Sequence, residues 1–144
     1  MSLPLITWGV NIVPFQEPGR RLRQQRMLAS VGALVDQGVP IVPLNITSQE
    51  ERQEIPGWNL DDSLTETTRE KIDPQGAPFP FVRDLFDRAA AHAKKKGHSY
   101  FAVMNGDIIL QPKLFTKLEE FLSVGMENVI FSRTELDDFP PDFT

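Results

Sequence analysis

The sequence predicts an α/β fold: a mostly parallel sheet sandwiched between helices on both faces, three layers in all. Two observations carry the prediction. Segments rich in β-branched and aromatic residues alternate with segments of helical periodicity, in the order β-α-β-(irregular)-α-β-α-β. Such alternation implies crossover connections and strands that run the same way. Within that order stands YFAVMNGDIIL, residues 100–110, where an apolar run climbs to Asn105-Gly106-Asp107 and a second apolar run follows at once. A short uninterrupted apolar run between turn signals reads as a strand buried on both faces, as in the middle of a parallel sheet. The length of 144 residues, with 40% hydrophobic and 24% charged residues, suits one domain with a real core. Residues 1–136 are expected to form that domain, and residues 137–144, acidic and broken by Pro140 and Pro141, a loose tail.

The first strand is expected within LITWGVNIVPF, residues 5–15, closed by Pro14 and Pro18. Glu17-Pro18-Gly19 is a turn, and the helical pattern runs from Arg20 to Gln37. Leu28, Val31, Leu34 and Val35 share its apolar face, and Gly38 is placed to end it. The second strand is expected over VPIVPLNI, residues 39–46. Its two prolines cannot donate ladder hydrogen bonds, which points to irregularity or an edge. Residues 47–73 are the least organised. Ser48 and Glu51 stand at the spacing of a capping box for a turn or two of helix. Ile55-Pro56-Gly57-Trp58-Asn59 breaks that turn, and residues 64–72 read as a short edge strand or a surface loop.

A proline-rich connector leads into the clearest helix, residues 81–96, with Val82, Leu85, Phe86, Ala89 and Ala93 on one face. Lys94-Lys95-Lys96 complements the helix dipole in its last turn, and Gly97 stops it. After the strand at residue 100, Pro112 takes a favoured first-turn position. Phe115, Leu118, Phe121 and Leu122 then give a further helix its apolar face. NVIFS, near the end, reads as a short last strand.

Several function classes are disfavoured. The net charge of -5 argues against nucleic acid as the main partner, because phosphate backbones call for a basic face. With no cysteine, thiolate chemistry, disulfides and cysteine metal sites are all absent. Two histidines leave little for a zinc site or a Ser-His-Asp triad. No apolar run approaches the roughly 18 residues of a membrane span. The N-terminus lacks a basic region and long apolar stretch of the secretory kind, so a cytoplasmic location is expected. No G-x-G-x-x-G follows the first strand, where VPFQEPGR stands instead, and no G-x-x-x-x-G-K-[ST] occurs.

In open α/β sheets, ligands bind beyond the carboxyl ends of the strands. Asn105-Gly106-Asp107 is where such a strand ends. Gly106 allows a tight turn or a close approach, and Asp107 offers a carboxylate at the rim, where a cation or a sugar hydroxyl could meet it. The plainer reading is that Asp107 caps the turn. His98 reads as a turn residue, His92 as a solvated helix residue and Trp8 as core. Trp58, in its proline-glycine loop, reads as lining an opening or mediating self-association, and so raises a homo-oligomer as an expectation.

The RRLRQQRMLAS helix start after the first strand, and the PFVRDLFDRAAAHA helix that leads into YFAVMNGDIIL, resemble the nucleotide-diphospho-sugar transferases of the GT-A fold. Bacterial glycosyltransferase-like proteins of that superfamily are the nearest in pattern. The resemblance covers most of residues 5–132 and implies a Rossmann-like sheet with a strand rising to an Asp-x-Asp-type signature. It further implies a UDP- or GDP-type sugar donor held with Mn²⁺ or Mg²⁺. Asp107 then becomes the metal ligand, with Asn105 beside it in place of the first acid, accepting through its amide oxygen. Pro14 and Phe15 fall beside base and ribose, Arg20 and Arg21 within reach of a phosphate, and Asn45 at the ribose or simply at its strand end. A cation is needed because a diphosphate leaving group concentrates negative charge.

This chain departs from the family by stopping soon after its last strand, where a complete member adds an acceptor pocket. It is therefore expected to be a donor-binding half, and catalysis by it is left open. Glu135, Asp137 and Asp138 are the candidate later acids for a general base. The competing expectation is a non-catalytic α/β interaction or subunit module that keeps the sheet without the chemistry.

Overall fold

A computed structural model describes residues 3–68, 72, 74–75 and 79–132. Its elements are β1 (Ile6–Val10), α1 (Pro18–Asp36), β2 (Ile41–Ile46), β3 (Asn59–Asp61), α2 (Val82–Lys96), β4 (Tyr100–Met104) and α3 (Pro112–Ser123). The four strands form one sheet in the order β3-β2-β1-β4, with every neighbouring pair parallel. The α/β class is thus as the alternation of patterns predicts.

Period-two alternation sorts the side chains onto two faces. Ile6 pairs with Ile41 on one side and Tyr100 on the other, and Val10 with Asn45 and Met104. On the first face Ile6, Trp8, Val10, Ile41 and Met104 pack with Met27, Val31 and Leu34 of α1 and Phe115 of α3. The Trp8 and Phe115 rings lie tilted at 5.4 Å between centroids. On the second face Leu44, Ile46 and Val103 meet Ala89 and Leu85 of α2. Helices therefore cover both faces. Fully burying one side chain such as Leu34 or Met27 stabilises the fold by about 1.5–3 kcal/mol.

The second face is closely packed because β1 carries Gly9. A Cβ there would stand 2.9 Å from Ile46 Cδ1 and 3.3 Å from Ala89 Cβ. The small residues let α2 lie directly on the central strands.

Helix ends follow their local chemistry. Pro18 opens α1, and the Glu17 side chain accepts from Gly19 N at 2.7 Å and Arg20 N at 2.8 Å. At the far end of α2, Gly97 adopts φ 75 and His98 N returns to Ala93 O at 2.8 Å, so the orphan carbonyls of the last turn are met.

Several expectations are corrected. The strand at residue 100 is not central. β4 is an edge strand of five residues with only Met104 buried, whereas β1 is buried throughout. Apolar run length does not distinguish a central strand from an edge strand whose one open side is hydrophobic. Beyond the turn that ends this strand, Leu110 of the second apolar run turns back into the first-face core.

The first strand stops at Val10, and residues 11–15 form a loop. The third strand is Asn59–Asp61, too short and polar to stand out; residues 64–66 carry no strand, and Thr67 makes a lone bridge to Pro80. Ser48 and Glu51 keep a capping contact, Glu51 N to Ser48 Oγ at 3.3 Å, without a helix behind it. The NVIFS segment, residues 128–132, is not a strand, and Ile130 is 96% exposed: among the described residues its β-forming side chains pair with no strand. Residues 137–144 and the acids Glu135, Asp137 and Asp138 lie outside the described residues.

Candidate functional site

Chain order places a switch point in this sheet. From β1 the chain steps outward to β2 and then β3, and β4 is laid down on the opposite side of β1. The connections that leave the carboxyl ends of β1 and β4 both lead to helices of the first face, α1 and α3. The carboxyl ends of the strands on either side of that reversal are where ligands lodge in open α/β sheets.

The loop after β1 forms one wall and is held by amide side chains. Ile12 N donates to Asn45 Oδ1 at 3.2 Å, and Asn11 Nδ2 donates to Ile46 O at 2.8 Å. Gln24, buried on α1, clamps one residue from both sides: its Oε1 accepts from Val13 N at 3.0 Å and its Nε2 donates to Val13 O at 2.7 Å. Two amides thus replace the ladder partners that Ile12 and Val13 lose where β1 ends. Beyond the clamp come exposed Pro14 and half-buried Phe15. The Arg20 guanidinium lies over the Phe15 ring at 5.8 Å from its centroid.

The turn after β4 forms the other wall. Gly106 rests on the first loop: a Cβ on it would meet Asn11 O at 3.2 Å and Gln24 Oε1 at 3.4 Å. Only glycine lets the two backbones come this close without displacement. Asn105 and Asp107, on either side of it, are exposed. Downstream, Leu110 N donates to Ser30 Oγ at 3.1 Å, and Ser30 Oγ donates to Met27 O at 2.7 Å, tying the turn's exit to α1.

The residues singled out from sequence separate into two groups. Pro14, Phe15 and Arg20 lie on the β1 side, and Asn105 and Asp107 on the β4 side, on two segments that touch through Asn11 and Gly106. Asn45 is different. It is 1% exposed, with its oxygen on Ile12 N and its nitrogen donating to Gln53 O at 3.4 Å, so its amide is already engaged in holding the first loop. Sequence reasoning did not find Asn11, Gln24 or the role of Glu17. Asn11, a polar residue inside an apolar run, carried a signal; Gln24, within the polar run RRLRQQ, carried none.

Glu17 bears on what the site can bind. Its carboxylate occupies the N-terminal N–H groups of α1, and those two backbone bonds hold its pKa below the ordinary value, with Arg23 and Arg20 adding to the shift. The helix terminus that cradles a pyrophosphate in dinucleotide folds is here already bonded to an anion of the chain itself.

For a metal, the donor set at the crevice is one carboxylate, Asp107, and one amide oxygen, Asn105. Among the described residues no three His, Asp or Glu side chains group to hold an ion. This pair fits a cation that arrives with phosphate oxygens of its ligand, since Mg²⁺ is commonly held by one or two carboxylates plus phosphates. It does not fit a metal centre built by the protein alone.

The histidines occupy other ground. His98 is not a bare turn residue: its Nδ1 is 2.8 Å from Thr7 Oγ1 across 91 positions, joining the entry of β4 to β1. His92, expected to be solvated, is half-buried, and its Nε2 is shielded with no partner among the described residues. Burial lowers its pKa, helped by Lys96 and His98. Trp8 is core, as expected. Among the described residues no helix is long and apolar enough to cross a membrane. Comparison with protein-family models, curated proteins and solved structures finds no match to this chain.

Proposed function

We infer that the chain binds a nucleotide-diphosphate sugar of UDP or GDP type together with Mn²⁺ or Mg²⁺ in the crevice between the β1 and β4 connections. The observation that carries this reading is the seating of the Asn105–Asp107 turn against the loop after β1 at the sheet's switch point. Phe15, backed by Arg20, offers an aromatic wall for a base. Asp107 and Asn105 hold the cation, and the cation, when bound, neutralises the diphosphate. The Glu17 cap supports a cation-borne diphosphate over one seated on a helix end, because it removes the competing anion site at α1. This is the donor-binding part of a glycosyltransferase-like reaction.

Titration calorimetry of UDP and of GDP, each with and without Mn²⁺, tests it. Binding is expected to need the metal, and Asp107→Ala is expected to weaken it roughly tenfold or more, about 1.4 kcal/mol. Unchanged affinity in the variant rules out the role given to Asp107.

A second reading rests on a separate observation. Among the described residues β4 leaves one side of its backbone unpaired, and beside that edge Phe86 and Phe101 are partly exposed with their rings edge to face at 6.0 Å. An uncharged edge of this kind invites strand pairing, as in a non-catalytic interaction or subunit module. A stable oligomer on sizing chromatography, with no response across nucleotides, favours that reading over the first.

A further inference from the structure

An opening at the carboxyl end of the sheet lies on its β2–β3 side. It is a cleft of about 720 Å³ between the β2–β3 connection and β3, lined in part by Arg52, Gln53, Glu54, Trp58, Asn59 and Asp62. Its volume falls within the roughly 300–1,000 Å³ of small-molecule sites. We propose that this cleft binds a neutral, hydroxyl-rich ligand, by chemical class an oligosaccharide. The proposal goes beyond the donor site and does not depend on it.

Charge comes first. Arg52 is the cation of the cleft, and it is shared: Nη1 donates to Asp62 Oδ2 at 3.1 Å and Nη2 to Glu54 Oε1 at 3.2 Å. One positive group between two negative ones leaves the lining with a net charge of -1. A phosphate or carboxylate would meet a guanidinium already committed to two carboxylates and would be repelled by both. The lining thus sets one donor group, Arg52, between two acceptors, Glu54 and Asp62.

Hydroxyl groups suit such a rim because each donates and accepts at once. Asn59 adds an amide with both functions. Gln53 adds a specific demand: its Nε2 is buried and has no partner among the described residues. A shielded donor without an acceptor is unfavourable, and because Gln53 lines the cleft, a turn of its side chain on binding would bring that donor to a ligand oxygen.

The aromatic surface is pre-set. Pro56 and Gly57 occupy the centre of a turn closed by Trp58 N donating to Ile55 O at 3.0 Å, and Gly57 has φ 80. Proline followed by a glycine of positive φ is the arrangement of a type II turn. Ile55 and Trp58 both pack against the first-face core. The indole is thus anchored on one side while it lines the cleft on the other, so little freedom is lost when a sugar ring stacks on it.

The chain contains two tryptophans, and Trp8 is 6% exposed, so Trp58 is the residue whose emission a ligand in the cleft alters. The intact protein is titrated with chitotriose, maltotriose and cellotriose, followed by emission and by calorimetry. Inorganic phosphate and uridine are run in parallel. At least one trisaccharide is expected to change the emission saturably, and phosphate and uridine are expected to do nothing. Calorimetry of Trp58→Ala is expected to show binding lost. Gln53→Met, which keeps the volume and removes the donor, is expected to bind roughly tenfold more weakly while its circular dichroism stays native. Asp107→Ala is expected to bind the sugar normally, which separates this site from the crevice.

Saturable binding by none of the three sugars overturns the proposal. So does phosphate or uridine competing for the cleft, or wild-type affinity in Gln53→Met. Loss of sugar binding in Asp107→Ala also overturns it, by placing the ligand in the other crevice.

Discussion

The loop after β1 and the turn after β4 touch on one edge of one sheet, yet they are held in opposite ways. The first is fastened inward. Asn45, Asn11 and Gln24 supply amide bonds to backbone groups that the strand ladder no longer serves, and Asn45 and Gln24 are buried in doing so. The second carries its polar side chains outward. Asn105 and Asp107 are exposed, and what positions them is the contact of the Gly106 backbone with Asn11. Polar residues at the carboxyl ends of parallel strands therefore do two jobs here. Those turned in fix the shape of the edge, and those turned out are available to a ligand. A wall held rigidly and a carboxylate left open is the combination a binding crevice needs.

The largest effect should come from the inward group. Asn45→Ala leaves Ile12 N–H buried without its acceptor and opens a small void, and it is expected to lower stability by about 2–3 kcal/mol. Urea denaturation followed by circular dichroism measures this. A loss below about 0.5 kcal/mol, the usual range of surface substitutions, would show that the loop is held by something other than this amide.

Gly9→Ala should have a smaller effect. The added methyl group meets Ile46 Cδ1, a movable chain end, and Ala89 Cβ, on a helix. Overpacking of that size costs about 1–3 kcal/mol, and removing a glycine from a strand returns about 0.5–1 kcal/mol. A net loss of about 1 kcal/mol is expected in the same denaturation experiment. A stabilised variant would mean that α2 shifts freely on β1 and that the central strand is less constrained than its contacts imply.

The amino end of the β1–β4 pair has its own attachment, through Thr7 and His98, with His92 packed nearby at 6.4 Å between ring centroids. His92 has a lowered pKa in the folded chain, from burial first and then from Lys96 and His98; Asp61 opposes the shift and Lys95 adds to it. The unfolded chain therefore takes up this proton more readily than the folded one. Stability is complete above the unfolded value of about 6.5 and falls as pH drops through it toward the lower folded value. Unfolding midpoints measured from pH 7.5 down to pH 5.5 should decline, and His92→Gln should flatten the decline. Equal slopes in both proteins would remove His92 as its cause.

How legible these regions were in the sequence differs for a physical reason. Helices α1 and α2 were readable to within about two residues, and the start of α3 likewise, because their boundary signals are local: Gly38, Gly97 and Pro112 act within one turn. Strand rank in the sheet was not readable. YFAVM is wholly apolar and lies at the edge, while ITWGV contains a threonine and a glycine and lies at the centre. Gly9, in the middle of β1, is the space into which α2 packs. β3, three residues with two of them polar, owes its existence to β2 beside it. At the edge itself, Asp107 was legible as a rim carboxylate. Asn45 was legible only as polar, because nothing in the local sequence says whether an amide at a strand end turns toward solvent or toward a neighbouring loop.

The smallest expected effect on stability belongs to the residue on which the proposed binding most depends. Asp107 is exposed, and it follows a turn whose position is set by Gly106 and by the Ser30 bond to Leu110 rather than by its own carboxylate. Asp107→Asn should therefore leave stability within about 0.5 kcal/mol of the parent, in contrast to Asn45→Ala on the neighbouring wall. If denaturation shows a loss as large as that of Asn45→Ala, the carboxylate is a structural cap of its turn, the contrast between the two walls disappears, and so does the case for keeping an acid there to meet a cation. A neutral result for stability, together with lost Mn²⁺-dependent nucleotide binding, leaves ligand contact as the reason for that carboxylate.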